Sequence, residues 1–512
     1  MGWYLRTTVR RGAAALCCLL ALANVGCSLS TDRAYSRGST ITVLYPTDER
    51  GLGPQYDLPA QFLMFLTLVA FNADGELEGR LARSWEPSSD YRTWTIRLRT
   101  DVRWHDGVPV TAHDIAFSVE LLSRPDVNYI SPGAVSITVL DDSTLTYTST
   151  VQGPLNVYRT YYPKHLLENL DPTEFYDWEF WKHPVGNGPY RYVRHMPQTM
   201  MELEANPDYF RGKPEIERVI LKFGPTSLAE LLSGNVDVLP QVNPMELPKL
   251  GEDPRFRTYY MIFPDVGTIH WNHRHPIFGD PRVRRALTLA INRRELLGVL
   301  NLPDDLPLFD VIYTERQWGE LPEPLPQDPE RAKQLLEEAG WRNTDDDGIR
   351  ERNGEEFRFT MLVVGSRVRE AVYIQDQLRR VGVRMEISTR ESPSLVAREM
   401  RAGDFEAVIW RLLMVPGTVR SPFAHFGEGS TIGYRNARVV ELLDAAEETQ
   451  DPEKLDALYR ELWPLFQADL PVTFLYPMTW TYVAHRRVRG LSTPYRADPV
   501  WYMEHLWIEA ER

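Results

Sequence analysis

Between residues 357 and 476, apolar runs of strand length alternate with stretches whose apolar residues recur every three or four positions, and this alternation constrains the fold more than any other feature of the chain. Residues 357–364 read as a strand, 367–380 as a helix and 383–387 as a strand. A helix near 394–401 precedes a strand at 407–410, and helices at 437–448 and 452–467 lead to a strand at 472–476. Strands joined through helices need crossovers, which are right-handed in nearly all cases, so this region predicts a mostly parallel sheet covered by helices. Asp280-Pro281 and Asp328-Pro329 each place a capping carboxylate before a proline at the first helical position, where a missing N–H costs nothing.

The first half has another rhythm. Ile41, Val43 and Tyr45 alternate with Thr42 and Leu44 and predict a strand, whereas 58–71 reads as helical. Trp94, Ile96 and Leu98 share one face of a half-buried strand, with Thr95, Arg97 and Arg99 on the other. Thr111-Ala112-His113-Asp114 has the form of a capping box opening a helix that buries Ile115, Val119 and Leu122. Strands at 135–140 and 144–148 join across Asp141-Asp142-Ser143 as a hairpin. The expected class is α/β, with a mixed sheet first and a parallel, doubly wound region second.

The N-terminus carries Arg6, Arg10 and Arg11, then an apolar run at 13–23 and Asn24-Val25-Gly26-Cys27. That run is too short to span a bilayer core, which takes about 20 residues, but suits an export signal. Cys17, Cys18 and Cys27 are the only cysteines, so the body after residue 27 holds no disulfide and no thiol chemistry. A cysteine after a small residue at the end of such a signal resembles a bacterial lipoprotein cleavage site, which would make 1–26 the signal, Cys27 the lipidated first residue and 27–38 a polar tether. A secretory signal cut nearby, with Cys27 incidental, is the alternative. The net charge of −14 opposes nucleic-acid binding, which needs a basic face.

Catalytic patterns are missing from the sequence. It has no Gly-x-Ser-x-Gly elbow and no His-Glu-x-x-His, and Gly51-Leu52-Gly53 and Gly186-Asn187-Gly188 lack the third glycine of a dinucleotide turn. The metal candidates are His273 and His275, which in a strand would share a face; Arg274 between them and the want of further ligands favour an exposed polar strand, so no metal or cofactor is expected. Asn343-Thr344-Asp345-Asp346-Asp347-Gly348 resembles the start of a calcium loop, yet its twelfth position is Gly354, and a turn-rich hairpin is the better account.

A series of short motifs, in order, resembles one family. Leu81-Ala82-Arg83-Ser84-Trp85-Glu86-Pro87, Val102-Arg103-Trp104-His105-Asp106-Gly107 and Thr111-Ala112-His113-Asp114 come first. Pro184-Val185-Gly186-Asn187-Gly188-Pro189-Tyr190, Asn206-Pro207-Asp208-Tyr209-Phe210 and Leu232-Ser233-Gly234-Asn235-Val236-Asp237 follow. Asp280-Pro281-Arg282-Val283-Arg284-Arg285-Ala286-Leu287, Ala290-Ile291-Asn292-Arg293, Tyr434-Arg435-Asn436 and Asp469-Leu470-Pro471 complete the set. Together they resemble the extracellular solute-binding proteins of the dipeptide/oligopeptide type, bacterial family 5.

The resemblance implies a two-lobed periplasmic-binding-protein-like fold (class II, cluster C) whose lobes close on a ligand about a hinge. By that analogy lobe I comprises 39–75, 186–269 and 478–512, an extra domain occupies 76–185, and lobe II spans 270–477. It further implies a non-enzymatic, monomeric lipoprotein of the periplasm or cell envelope that delivers a small organic solute, peptide or peptide-like, to the permease of an ABC importer. The alternatives are a non-peptide ligand (oligosaccharide, metal chelate or opine-like acid) and, further off, a hydrolase or chaperone on the same scaffold. Peptide binders of the family hold the ligand's amino group on an Asp shortly after a strand like 407–410, but residues 410–420 contain no acid. Arg411 and Arg420 there invite an anion held by a guanidinium fork, although solvent exposure or a local acidic partner is the plainer reading of either. An acid could also reach the cleft from elsewhere in the fold. Trp410, Trp271 and Asn272 are the expected cleft-lining residues.

Overall fold

The computed structural model describes residues 39–45, 59–72, 77–89, 92–127, 134–149, 159–313, 317, 320–345, 347–413, 425–427, 429–449, 451–491 and 503–509. Cys27, the export segment, the tether and Arg420 lie outside the described residues.

Two strands are far longer than the rest, Phe256–Trp271 with 16 residues and Val472–His485 with 14. They pair antiparallel at the centre of a ten-stranded sheet. On one side lie Ala407–Leu413, Arg358–Val364 and Arg384–Arg390; on the other lie Val238–Leu239, Ser39–Tyr45, Ile216–Phe223, Met200–Ala205 and Tyr190–Met196. The apolar side chains sort into separate cores along this sheet. One core collects Ile41, Val43, Val219, Leu221, Tyr259, Met261, Tyr482 and Ala484. Another collects Ile269, Leu287, Met361, Ile374, Ile409, Leu475 and Tyr476. Each long strand therefore passes from one core to the other, and between Ile262 and Val266 their ladder loses register.

The parallel pairs are those read from the sequence. Arg358–Val364 runs parallel to both Arg384–Arg390 and Ala407–Leu413, and helices Val368–Arg379 and Pro393–Ala402 make the crossovers. The sheet turns antiparallel where the long strands enter. Helices Pro281–Ala290 and Pro329–Glu338 start on the capping carboxylates of Asp280 and Asp328, which accept from the backbone N–H of Arg282 and Arg331. A second, four-stranded antiparallel sheet is formed by Ala82–Pro87, Thr93–Leu98, Thr144–Ser149 and Val135–Asp141. Beside it, helix Ala112–Leu122 buries Ile115, Val119 and Leu122, and Asp114 accepts from the Thr111 N–H at 2.8 Å.

Two expectations change. The helix read over 58–71 is only Pro59–Met64, and the chain then extends into strand Val69–Phe71. Tertiary hydrogen bonds replace helical ones there: Leu66 N–H donates to Asn187 Oδ1 at 2.8 Å, and the Thr67 hydroxyl donates to Val69 O. The strand expected to stop at Tyr476 continues through Pro477 to His485, because Pro477 sits at the register break opposite Val266. The 343–354 segment forms the expected hairpin, in which Glu351–Arg352 pairs with Glu355–Glu356 across Asn353-Gly354, both with positive φ.

The recurring motifs act as joints. His105 Nε2–H donates to Gly188 O at 3.1 Å while its Nδ1 accepts from Gly186 N–H at 3.2 Å, which ties the 102–107 segment to the 184–190 turn. Asp237 accepts from Thr42 N–H at 2.9 Å and from the Arg487 guanidinium, linking strands distant in sequence. Tyr434 and Asn436 both donate to Asp469 Oδ2, at 2.6 and 2.8 Å.

Candidate functional site

Strands 358–364, 384–390 and 407–413 are mutually parallel, so their carboxyl ends emerge on one edge, where open α/β sheets bind ligands. The register break in the long strands lies beside that edge, since Asp265 is paired with Leu413 and Gly267 with Arg411. Opposed residues of an antiparallel pair share a face, which brings Asp265 and Arg411 together.

Arg411 Nη1 donates to Asp265 Oδ2 at 3.2 Å. The Arg411 side chain is 64% exposed and that of Asp265 8%. Among the described residues, Asp265 Oδ1 is buried with no hydrogen-bond partner. Burial pushes the Asp265 carboxyl above its ordinary range, and the charge of Arg411 pulls it back. Of the two readings of Arg411, the structure supplies the local acid.

Against Gly267 stands a group that is already satisfied. Arg367 donates to both oxygens of Glu370 at 2.7 and 2.8 Å, to Trp410 O at 2.6 Å and to the Tyr476 hydroxyl at 3.4 Å. Tyr476 in turn donates to Glu370 Oε2 at 3.1 Å. Burial works against the Arg367 charge, but Glu370 outweighs it and holds the guanidinium above its usual pKa. A Cβ on Gly267 would stand 2.9 Å from Arg367 Nη2, so glycine at that strand position makes room for the guanidinium. The cluster braces the end of the sheet and leaves little donor capacity for a ligand.

The other expected residues sit elsewhere. Trp410 is half-buried on strand 407–413 and packs beside the small core of Leu362, Val396, Met400 and Val408. Trp271 and Asn272 sit at the far end of the same long strand as Asp265. They lie roughly 20 Å along the strand from Asp265 and are turned inward. Trp271 is fully buried between Phe278 and Phe359, with its indole N–H on Thr473 Oγ1 at 3.1 Å. Asn272 donates to Phe405 O at 2.7 Å and accepts from Arg274 N–H, which makes it a turn former. The shared face expected for His273 and His275 is not formed, because the strand ends at Trp271. His273 Nε2 bonds Pro471 O, and burial depresses its pKa to about 4, while His275 approaches Glu406 at 3.5 Å.

Asp265, Arg367, Glu370 and Tyr476 were not singled out from the sequence. Pro264-Asp265 and Gly267 inside an otherwise apolar strand were the available signal, since proline and glycine in a strand mark an irregularity or a close approach.

Separate cores joined by two long paired strands, with a parallel sheet on one side, define a two-lobed α/β fold of the binding-protein kind. The chain belongs to the bacterial extracellular solute-binding proteins, family 5, whose model matches residues 76–433. Members of this family are the solute-binding components of ABC importers. The chain is 26% identical over 467 residues to the oligopeptide-binding protein AppA of Bacillus subtilis, covering 85% of this chain and 83% of the relative. It is 25% identical over 482 residues to the nickel-binding periplasmic protein of Escherichia coli, covering 85% and 89%. The fold is like that of NikA from Brucella suis in complex with Fe(III)-EDTA, with a TM-score of 0.76 at 20% identity and coverage of 92% and 100%. Among the described residues, no helix is long and apolar enough to cross a membrane.

Proposed function

We propose that the protein is a lipid-anchored, monomeric binding component that captures a small organic solute, peptide or peptide-like, by closing its lobes, without bond-making chemistry of its own. The observation that carries this reading is the register break between Ile262 and Val266, where two paired strands cross from one core to the other beside a half-satisfied charged pair. A break in the ladder removes hydrogen bonds that would resist bending, and hinges are built from a few such residues. Lobe I is assigned to 39–75, 186–269 and 478–512 with the extra domain at 76–185, and lobe II to 270–477. The four-stranded sheet and the separation of cores support that division, although pairing of 266–271 with strand 407–413 favours a lobe boundary a few residues earlier. Cys27, the lone cysteine at the end of the export signal, is the proposed lipid attachment point at the cell envelope.

Native mass spectrometry of the protein purified from its own membranes tests this reading. Intact small-molecule cargo on a chain whose mass includes acyl groups at Cys27 is the expected result, and Cys27→Ser should release the protein from the membrane. Cleaved products would point instead to a hydrolase, and a bound metal complex to the chelate reading.

A further inference from the structure

Within the division into closing lobes proposed above, on which this inference rests, the strand directions bring two edges face to face. Ser39–Tyr45, Ile216–Phe223 and Val238–Leu239 are parallel. Val238–Leu239 and Phe256–Trp271 are both antiparallel to Val472–His485, so the lobe I strands run toward lobe II as Phe256–Trp271 does. Arg358–Val364 and Ala407–Leu413 run antiparallel to Phe256–Trp271 and end toward lobe I. Segments that follow these strand ends therefore stand where the lobes meet.

One such segment follows Leu239. The chain turns at Gln241, with φ of 54°, and Val242 N–H donates to Thr481 O at 2.8 Å. Asn243 then caps the 3-10 helix Pro244–Leu250, its Oδ1 accepting from Met245 N–H at 3.0 Å. The cap and the fixed φ of a proline at the first position hold this turn in place. From lobe II, Asn301 Nδ2–H donates to Pro244 O at 3.2 Å and lies 3.9 Å from Met245 Sδ. Arg369, in the first turn of helix Val368–Arg379, donates from Nη1 to the same sulfur at 3.2 Å.

Asn301 stands just past helix Arg293–Val299 with φ of 54°, a place where glycine is usual and asparagine the alternative. Glycine would make the turn alone, whereas asparagine makes it and also supplies the amide that crosses to lobe I. An amide on a carbonyl and a guanidinium on a thioether are each modest bonds, so the contact can form and break as the lobes move.

We propose that Met245, engaged by Asn301 and Arg369, is a latch between the lobes that favours their closed arrangement by the same factor for every cargo. The contact joins two opposed carboxyl edges, and opening the hinge draws Met245 away from its donors. A group that touches cargo discriminates between solutes, but a latch of this kind changes only the fraction of protein that is closed.

The test reads that fraction without a ligand. Spin labels are placed at Lys213→Cys on lobe I and Arg380→Cys on lobe II, both exposed, in the full-length chain with Cys17, Cys18 and Cys27 changed to serine. Pulsed electron resonance then gives the distances between labels in cargo-stripped protein. The ratio of closed to open populations should fall by about threefold or more in Met245→Ala and in Asn301→Gly, with circular dichroism unchanged. Asn301→Gly suits the backbone of the turn, so it keeps the test valid should Met245→Ala fail to fold. An unchanged or raised ratio in either folded variant, or a parent with no closed population, overturns the latch. Distances that respond to stripping the cargo carried from the source, but to neither variant, overturn the latch alone. One distance common to every sample overturns the lobe-closing reading with it.

Discussion

Replacing Asp310 by alanine should be among the most damaging single changes to the second core. The Arg293 and Asp310 side chains are 4% and 0% exposed, and two hydrogen bonds of 2.7 and 3.2 Å join them. Asp310 Oδ2 also accepts from Leu325 N–H at 2.6 Å, and Arg293 donates to Phe474 O and Leu325 O at 3.0 and 2.6 Å. The pair ties helix Arg293–Val299 to the start of strand Val472–His485 and to Leu325. Asp310→Ala leaves a guanidinium buried without a counter-charge, a loss of about 3–5 kcal/mol. Removing both charges, as in Arg293→Met with Asp310→Leu, should cost clearly less, since an apolar pair carries no desolvation penalty. Urea unfolding followed by tryptophan fluorescence reads both variants. A cost for Asp310→Ala within about 1 kcal/mol of zero, or a double variant worse than the single one, would refute the reasoning.

Three further outcomes are expected. Gly186→Ala should lower stability by about 2–3 kcal/mol or more, because its Cβ would lie 2.0 Å from the Met64 carbonyl oxygen; thermal unfolding at an unchanged midpoint would contradict this. Burial depresses His105 to a pKa of about 4, below the 6.5 of a free histidine, so its full contribution is present above pH 6.5. It is lost as pH falls toward 4, by up to about 3 kcal/mol, as the unfolded chain takes a proton that the folded one refuses. Unfolding from pH 4 to 8 should show that slope in wild type and a shallower one in His105→Gln. Trp271→Ala should cost about 3–5 kcal/mol by opening a cavity against Phe278 and Phe359, and a loss below about 1 kcal/mol would mean that the ring does not hold the core.

The sequence was most legible where periodicity and capping chemistry repeat. The parallel strands and crossover helices of 357–413 follow from alternation alone, and the helix starts at Asp280 and Asp328 from a capping acid before proline. Residue 58–71 misled because its apolar content suits a helix, while the bond from Leu66 N–H to Asn187 is invisible until the two segments meet. The motifs that carried the family resemblance turn out to be joints, as His105 with Gly186 and Gly188, or Asp237 with Arg487, illustrate. Such joints report the scaffold and are silent about the ligand. Trp271 and Asn272 illustrate the ambiguity: beside a strand end, aromatic and amide side chains serve a core or a turn as readily as a cleft. Asp265 was hidden because its meaning depends on cross-strand pairing with residues 411–413, nearly 150 positions away.

Small-angle scattering on the mature protein, stripped of cargo and then saturated with the cargo identified by mass spectrometry, tests the central claim of a hinge at 262–266 and 477–479 most directly. The account predicts a more compact particle with cargo bound, reverting when the cargo is removed. A profile identical with and without saturating cargo would contradict it.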